Sequence, residues 1–97
     1  MIVVKKEDNL ITIKGHANYS DKEDIVCASV SSIMYTTVNA ILRFDENALK
    51  YEDSGDEVLI TINKSTEASD KLIFNMMSLF NELALKYPNN IKIESEE

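Results

Sequence analysis

The sequence contains very little cysteine, proline and glycine, and these shortages limit what the protein can be. Its 97 residues include one cysteine, one proline, two glycines and no tryptophan. A single cysteine cannot form a disulfide within the chain. So few prolines and glycines, beside 44% hydrophobic and 28% charged residues, are typical of an ordered globular protein with few irregular loops. A chain of this length buries only about 60–68% of its unfolded surface, so we predict one domain spanning residues 1–97.

Long apolar runs are missing as well. The N-terminus passes from Met1 to Lys6 into polar residues without the apolar core of a signal peptide. No apolar run approaches the ~20 residues that are needed to span a bilayer. We therefore expect a cytoplasmic protein that makes no contact with a membrane.

Basic residues are outnumbered by acidic ones. Ten Lys and Arg residues stand against 17 Asp and Glu residues, which gives a net charge of −7, and Arg43 is the only arginine. Phosphate backbones are held chiefly by lysine and arginine, so direct binding of nucleic acid is not expected. An acidic protein suits a basic partner, although solubility alone explains the same charge.

The hydrophobic pattern predicts an α+β domain in which two helices pack on a mixed or antiparallel sheet, in the order β-β-α-β-β-α-β. Alternating apolar residues on either side of Asp8 and Asn9 predict a hairpin whose second strand ends at His16. Apolar residues then recur every three or four positions over residues 24–43, which predicts a central helix with one buried side.

The second half of the chain repeats the arrangement of strands followed by a helix. Two strands are predicted on either side of a turn at residues 53–56. Thr66 is predicted to open a second helix, which Pro88 ends. A short strand at residues 91–93 completes the sheet.

The start of the central helix decides how its cysteine behaves. With Asp24 as the N-cap, Cys27 lies in the first turn, where unpaired backbone amides and the positive end of the helix dipole favour a thiolate. The alternative start has Ser20 as the cap and Glu23 three residues later, a capping-box pattern that places Cys27 near the second turn. We favour Asp24, because the apolar period begins only at Ile25.

The only histidine, His16, and the only cysteine, Cys27, border one short loop between a strand and a helix. An imidazole that takes the proton of a thiol is a common way to generate a thiolate nucleophile, so these residues form a candidate catalytic dyad. The alternative is a cysteine packed as a small hydrophobic residue beside a surface histidine. A metal site is not expected, because structural zinc needs about four ligands.

The segment from Gly15 to Ser31 resembles the signature of the ribosomal-processing cysteine protease family, Prp. The resemblance lies in the Gly-His-Ala opening, in Asp24 three residues before Cys27, in the Ile-Val-Cys-Ala run and in the serine four residues after Cys27. It implies a bacterial cytoplasmic cysteine protease, usually a homodimer, that removes a short N-terminal extension from a large-subunit ribosomal protein. It also implies that His16 is the catalytic histidine and Cys27 the nucleophile, with Asp24 and Ser31 at recurrent positions of the motif.

The chemistry expected of this dyad needs no cofactor and no metal. We expect His16 to draw the proton from Cys27, so that the thiolate attacks the scissile carbonyl and forms a thioester that water hydrolyses. Helix geometry indicates the backbone amides of Cys27 and Ala28 as donors to the oxyanion. The acidic charge of the chain suits the basic extension of a ribosomal protein as the substrate.

The loop between the two dyad residues is predicted to contact the substrate. Its seven residues are Ala17, Asn18, Tyr19, Ser20, Asp21, Lys22 and Glu23. Because Tyr19 is the only large apolar side chain among them, we expect a mobile loop that becomes ordered when a peptide binds. The loop departs from the family pattern, which usually has a glycine where Asn18 stands and another before the acidic residue.

Two other functions stay open at the level of the sequence. One is a non-enzymatic ribosome-associated or assembly module, in which Cys27 is a structurally buried residue. The other is a thiol redox sensor, although the chain lacks a second cysteine to resolve a sulfenic acid.

Overall fold

The computed structural model describes residues 1–15 and 21–95, and for residues 21–24 it describes the backbone only. Within these residues, five strands and two helices follow one another in the order β-β-α-β-β-α-β. The α+β fold class predicted from the sequence is therefore confirmed. The elements are β1 (Ile2–Glu7), β2 (Leu10–Lys14), α1 (Asp21–Phe44), β3 (Leu49–Asp53), β4 (Glu57–Ile62), α2 (Glu67–Lys86) and β5 (Ile91–Ser95).

The five strands form one mixed sheet in the order β3-β4-β2-β1-β5. β1 and β2 are the predicted hairpin, in which Val4 lies opposite Ile13, and its turn passes through Asp8 with a φ of 50°. β4 pairs antiparallel with both β2 and β3, whereas β5 pairs parallel with β1. The two outer strands of the sheet are therefore β3 and β5.

One face of the sheet is covered by the helices and the other is open. Side chains alternate between the faces of a strand, and Val4, Ile13 and Ile60 are fully buried while their neighbours Lys5 and Lys14 are exposed. The buried face joins residues of both helices in one hydrophobic core. The helix side of that core includes Val26, Val30, Met34, Ile41, Ile73, Met76 and Phe80.

α2 is capped as the sequence predicts. The Thr66 side chain accepts a hydrogen bond from the Ser69 N–H at 3.1 Å, and the Ser69 hydroxyl accepts one from the Thr66 N–H at 3.1 Å. This reciprocal pair satisfies two of the amides that a helix start leaves without partners. The helix ends at Lys86, two residues before Pro88.

α1 begins four residues earlier than the N-cap at Asp24 predicts. Its first helical residue is Asp21, so Asp24 lies inside the first turn and is not the N-cap. The alternative start with Ser20 as the cap fits this boundary, although Ser20 itself lies outside the described residues. The first turn is wholly polar, and acidic residues there suit the positive end of the helix dipole. The apolar period begins only at Ile25, so it carries no information about this turn.

By length and composition, the segment Ile25–Phe44 of α1 meets the criterion for a helix that crosses a membrane. This finding contradicts the expectation that no segment approaches that length. Core helices of globular proteins meet the same criterion, and the side of α1 that carries Val26, Val30 and Met34 is fully buried inside this protein. Phe44, the last residue of the helix, is exposed.

Gly15 ends β2 in a conformation that excludes other residues. Its φ is +80°, and a Cβ at this position would collide with the backbone carbonyl oxygen of Met1. Gly55 has a similar φ of +96°, but a Cβ there would meet no atom within 4 Å. A substitution of Gly55 would therefore introduce backbone strain alone, whereas a substitution of Gly15 would introduce both backbone strain and a steric clash.

We predict that Gly15→Ala lowers the free energy of unfolding more than Gly55→Ala does. Gly55→Ala should cost about 1–2 kcal/mol, because only the positive φ is unfavourable for alanine. Gly15→Ala adds a clash with fixed backbone to the same strain. Urea unfolding of both variants and the wild type measures the difference, and equal losses would contradict the argument.

Candidate active site

Cys27 lies in the second turn of α1, next to the side of the helix that is buried in the core. The thiol-bearing residue is half-buried and packs against the edge of the hydrophobic core. Residues four apart are neighbours on a helix surface, so Cys27, Ser31 and Tyr35 follow one another along a row that turns gradually around α1. We call this row the Cys27 side of α1.

The end of β2 brings the chain toward the same end of the sheet. Gly15 donates its N–H to the carbonyl oxygen of Asp56 at 3.4 Å, which ties the end of β2 to the turn between β3 and β4. His16 follows directly but lies outside the described residues, as do Ala17, Asn18, Tyr19 and Ser20. The pairing of His16 with Cys27 therefore stays a prediction.

Three residues assigned to the substrate loop belong instead to α1. Asp21, Lys22 and Glu23 form the first turn of the helix together with Asp24. The connection between β2 and α1 is thus shorter than the seven-residue loop expected from the sequence. The four residues of this turn are all polar, a composition that is also typical of a loop.

The early start of α1 also bears on two predicted effects of the backbone near Cys27. These are the donation of amides to an oxyanion and the stabilisation of a thiolate by the helix dipole. An α-helix leaves only its first four N–H groups without intrahelical partners. With the helix beginning at Asp21, the amides of Cys27 and Ala28 come after these four and donate within the helix. They are therefore not the donors to an oxyanion, and the helix dipole, which acts within the first turn, gives little stabilisation to a Cys27 thiolate.

Ala28 lies on a different side of α1 from Cys27. It is exposed and lines a groove of about 670 Å³ between α1 and α2, with Ser29, Ser32, Ile33 and Leu83 among its neighbours. Ser29 donates its hydroxyl to the carbonyl oxygen of Ile25 at 2.9 Å. The Ala28 side chain thus belongs to this groove, and its supporting role beside Cys27 stays a prediction.

A pair of tyrosines on the Cys27 side escaped prediction from the sequence. The rings of Tyr35 on α1 and Tyr51 on β3 have centroids 6.0 Å apart and an interplanar angle of 58°. The Tyr51 hydroxyl lies 3.2 Å from the Tyr35 hydroxyl and 3.4 Å from Oδ2 of Asp53. The spacing of eight residues between Cys27 and Tyr35 could have indicated that both lie along one row of α1. The contact of Tyr35 with Tyr51 of β3 depends on tertiary packing, so the sequence does not indicate it.

The surroundings of Tyr51 keep its phenol protonated. Partial burial, the hydrogen bond with Tyr35 and the negative charge of Asp53 raise the pKa of Tyr51 well above its ordinary value. A neutral phenol can both donate and accept hydrogen bonds. Tyr51 is therefore a fixed polar group at the border between α1 and the outer strand of the sheet.

The described side chains include no cluster that could hold a metal ion. No three His, Cys, Asp or Glu side chains in that part of the chain lie close enough together to form such a site. On the Cys27 side of α1, the predicted site residues that lie within the described part of the chain are Cys27 and Ser31.

Comparison with known proteins adds the family. The sequence profile described as cysteine protease Prp matches residues 1–92. The ribosomal processing cysteine protease Prp of Staphylococcus aureus is 25% identical over 87 residues, which cover 86% of this chain and 82% of that protein. The range matched by the sequence profile includes the whole segment from Gly15 to Ser31.

Solved structures share the fold. SMU.848 from Streptococcus mutans superposes with a TM-score of 0.81 at 20% identity, covering 97% of this chain and 90% of that one. The S. aureus protease Prp in complex with a substrate peptide gives a TM-score of 0.82 at 19% identity, covering 98% and 97% of the two chains. A second S. aureus Prp structure, with a covalently linked product peptide, gives 0.76 at 21% identity. Because the family profile extends over nearly the whole sequence, the chain belongs to the Prp family of ribosomal processing cysteine proteases.

Proposed function

We propose that this protein is a cysteine endopeptidase that removes a short N-terminal extension from a large-subunit ribosomal protein. The observation that carries the proposal is the family match over residues 1–92, which contains the only cysteine and the only histidine of the chain. Those two residues stand within the segment that resembles the family signature. The catalytic roles fall to Cys27 as the nucleophile and His16 as the base.

The chemistry follows from these two side chains. His16 takes the proton of Cys27, the thiolate attacks the scissile carbonyl, and the amine product leaves with a proton from the imidazolium. Water then hydrolyses the thioester. Because Cys27 lies in the second turn of α1, the helix dipole contributes little, and activation of the thiol depends on His16. The proposed reaction uses no metal and no cofactor.

The substrate is a peptide segment of basic character. The S. aureus relative is a ribosomal processing protease, and its structures contain a substrate peptide and a covalently linked product peptide. By extension, we assign a peptide of the same class to this chain. The net charge of −7 favours the approach of a basic segment, with screening beyond about 8 Å at physiological salt.

The central prediction concerns Cys27. Cys27→Ala should lower the rate of cleavage of a ribosomal-protein precursor by a factor on the order of 10⁴ or more, because the nucleophile is lost. The replacement of a thiol by a methyl group is small, so the fold should persist. Cleavage is followed by mass spectrometry of the released peptide. Ser29→Ala, on the groove side of the same helix, is the matched control and should keep its activity.

Two outcomes of that experiment would contradict the assignment. Retained cleavage by the Cys27→Ala variant would exclude Cys27 as the nucleophile. Loss of wild-type cleavage upon addition of EDTA would indicate a metal-dependent reaction instead.

The alternative function, a ribosome-associated or assembly module without enzymatic activity, is favoured by one observation. Cys27 packs partly against the hydrophobic core, as a structural cysteine does. The two functions differ in the reactivity of this thiol in the folded protein.

We predict that iodoacetamide at neutral pH alkylates Cys27 in the folded protein much faster than it alkylates a model thiol. The reason is that His16 holds the thiol as a thiolate, so His16→Ala should slow alkylation. Mass spectrometry against time measures both rates. Alkylation that occurs only after unfolding would support the non-enzymatic module and exclude the protease.

We further propose that the protein is a cytoplasmic homodimer, as the family resemblance implies. Sedimentation velocity should then give a mass of twice the 11.0 kDa of the chain at micromolar concentration. A single species of one chain at all concentrations would contradict the dimer without affecting the proposed chemistry.

A further inference from the structure

The outer edge of β3 carries backbone groups that no described residue pairs with. At one end of the β3–β4 ladder, Ser54 donates its N–H to the carbonyl oxygen of Glu57 at 3.0 Å. At the other end, Asn63 donates to the carbonyl oxygen of Ala48 at 2.8 Å. Hydrogen-bonded pairs alternate along an antiparallel ladder, so the even-numbered residues of β3 bond to β4. The N–H and C=O groups of Leu49, Tyr51 and Asp53 therefore point away from the sheet.

The side chains of β3 alternate in the same way. Leu49 is buried and Tyr51 is half-buried on the face that the helices cover. Lys50 and Glu52 lie on the open face, where their charged groups are 3.7 Å apart. A strand added to this edge would direct every second side chain toward α1, at the contact between Tyr35 and Tyr51.

The Cys27 side of α1 leads from this contact to the thiol. α1 ends at Phe44, shortly before β3 begins at Leu49, and Tyr35 of α1 meets Tyr51 of β3. The helix residues that precede Tyr35 therefore lie toward the Asp53 end of β3. Cys27 precedes Tyr35 by eight residues, which is about 12 Å along a helix. An extended peptide rises about 3.4 Å per residue and covers that distance in three or four residues.

We propose that the substrate binds as an additional strand on the outer edge of β3. One of its side chains then packs on Tyr35 and Tyr51, three or four residues from the peptide bond presented to Cys27. This inference rests on the proposed protease function. It extends that function by naming β3 as the strand that pairs with the substrate backbone. It also names Tyr35 and Tyr51 as the residues that contact one substrate side chain.

The chemistry of the edge favours a basic peptide over a second copy of the chain. β3 has only five residues, and such a short edge offers little length for pairing with a second copy of itself. Glu52, Asp53 and Asp56 give this end of the hairpin a negative charge, which suits the basic extension of a ribosomal protein. Main-chain pairing supplies affinity in this mode of recognition, and alternate side chains supply specificity.

The first test is a scan of N-methylated substrate peptides against the full-length Cys27→Ala protein. A methyl group on a backbone nitrogen removes one hydrogen-bond donor and blocks the approach of a strand. Fluorescence anisotropy of labelled peptides should show affinity falling about tenfold at every second residue of the paired segment, with little change at the residues between. The unmodified peptide is the reference.

The second test changes the protein at Asp53. Asp53→Pro removes an N–H that points outward and makes no bond to β4, a position where an edge strand tolerates proline. Asp53→Ala is the matched control, because it removes the same side-chain contacts with Gly55 and Tyr51 but keeps the N–H. Peptide affinity should fall about tenfold further in Asp53→Pro than in Asp53→Ala, while circular dichroism and the unfolding temperature report whether the variant is folded. If Asp53→Pro does not fold, the N-methyl scan decides alone.

The failure of this inference is separate from the failure of the proposed function. An N-methyl scan without alternation, or no binding of the unmodified peptide, would overturn docking at the β3 edge. A dimer that Asp53→Pro disrupts while peptide affinity is unchanged would assign the edge to a second copy and overturn the inference as well. The proposed function is judged by cleavage with wild-type and Cys27→Ala proteins, whatever the pattern of the scan.

Discussion

The packing of one side of α1 against the sheet determines which surfaces of this protein can do chemistry. Val26, Val30 and Met34 are fully buried on that side, and burying a side chain of this size stabilises a fold by about 1.5–3 kcal/mol. A rotation of the helix that brought a neighbouring residue into the core would expose these side chains. The rotation is therefore fixed. It leaves Cys27 half-buried at the edge of the core and places Ala28 in the groove between α1 and α2.

The connection of β2 to the β3–β4 turn is the second constraint on the site. Gly15 makes this connection with a backbone conformation that suits glycine and with no room for a Cβ. The glycine of the Gly-His-Ala motif thus has a physical reason that is independent of catalysis. It ties the end of β2 to the turn between β3 and β4, directly before His16 in the sequence.

The position of Cys27 in the second turn changes the account of its reactivity. A thiol in the first turn would be stabilised as a thiolate by unpaired amides, but the helix begins too early for this effect. Activation of the nucleophile therefore has to come from a side chain rather than from the backbone. The same shift removes the amides of Cys27 and Ala28 from the set of donors available to a tetrahedral intermediate.

The sequence by itself determined the order of the elements, because alternation and the three-to-four-residue period are recorded in the apolar residues that face the core. It also determined the candidates for chemistry, since Cys27 and His16 are each unique in the chain. It did not determine the start of α1, because the first turn at residues 21–24 is polar and lies outside the apolar period. Only the tertiary structure decided that Tyr35 contacts Tyr51 and that β3 is an outer strand. These features depend on contacts between elements distant in sequence, and such contacts leave no periodic pattern in the segments that make them.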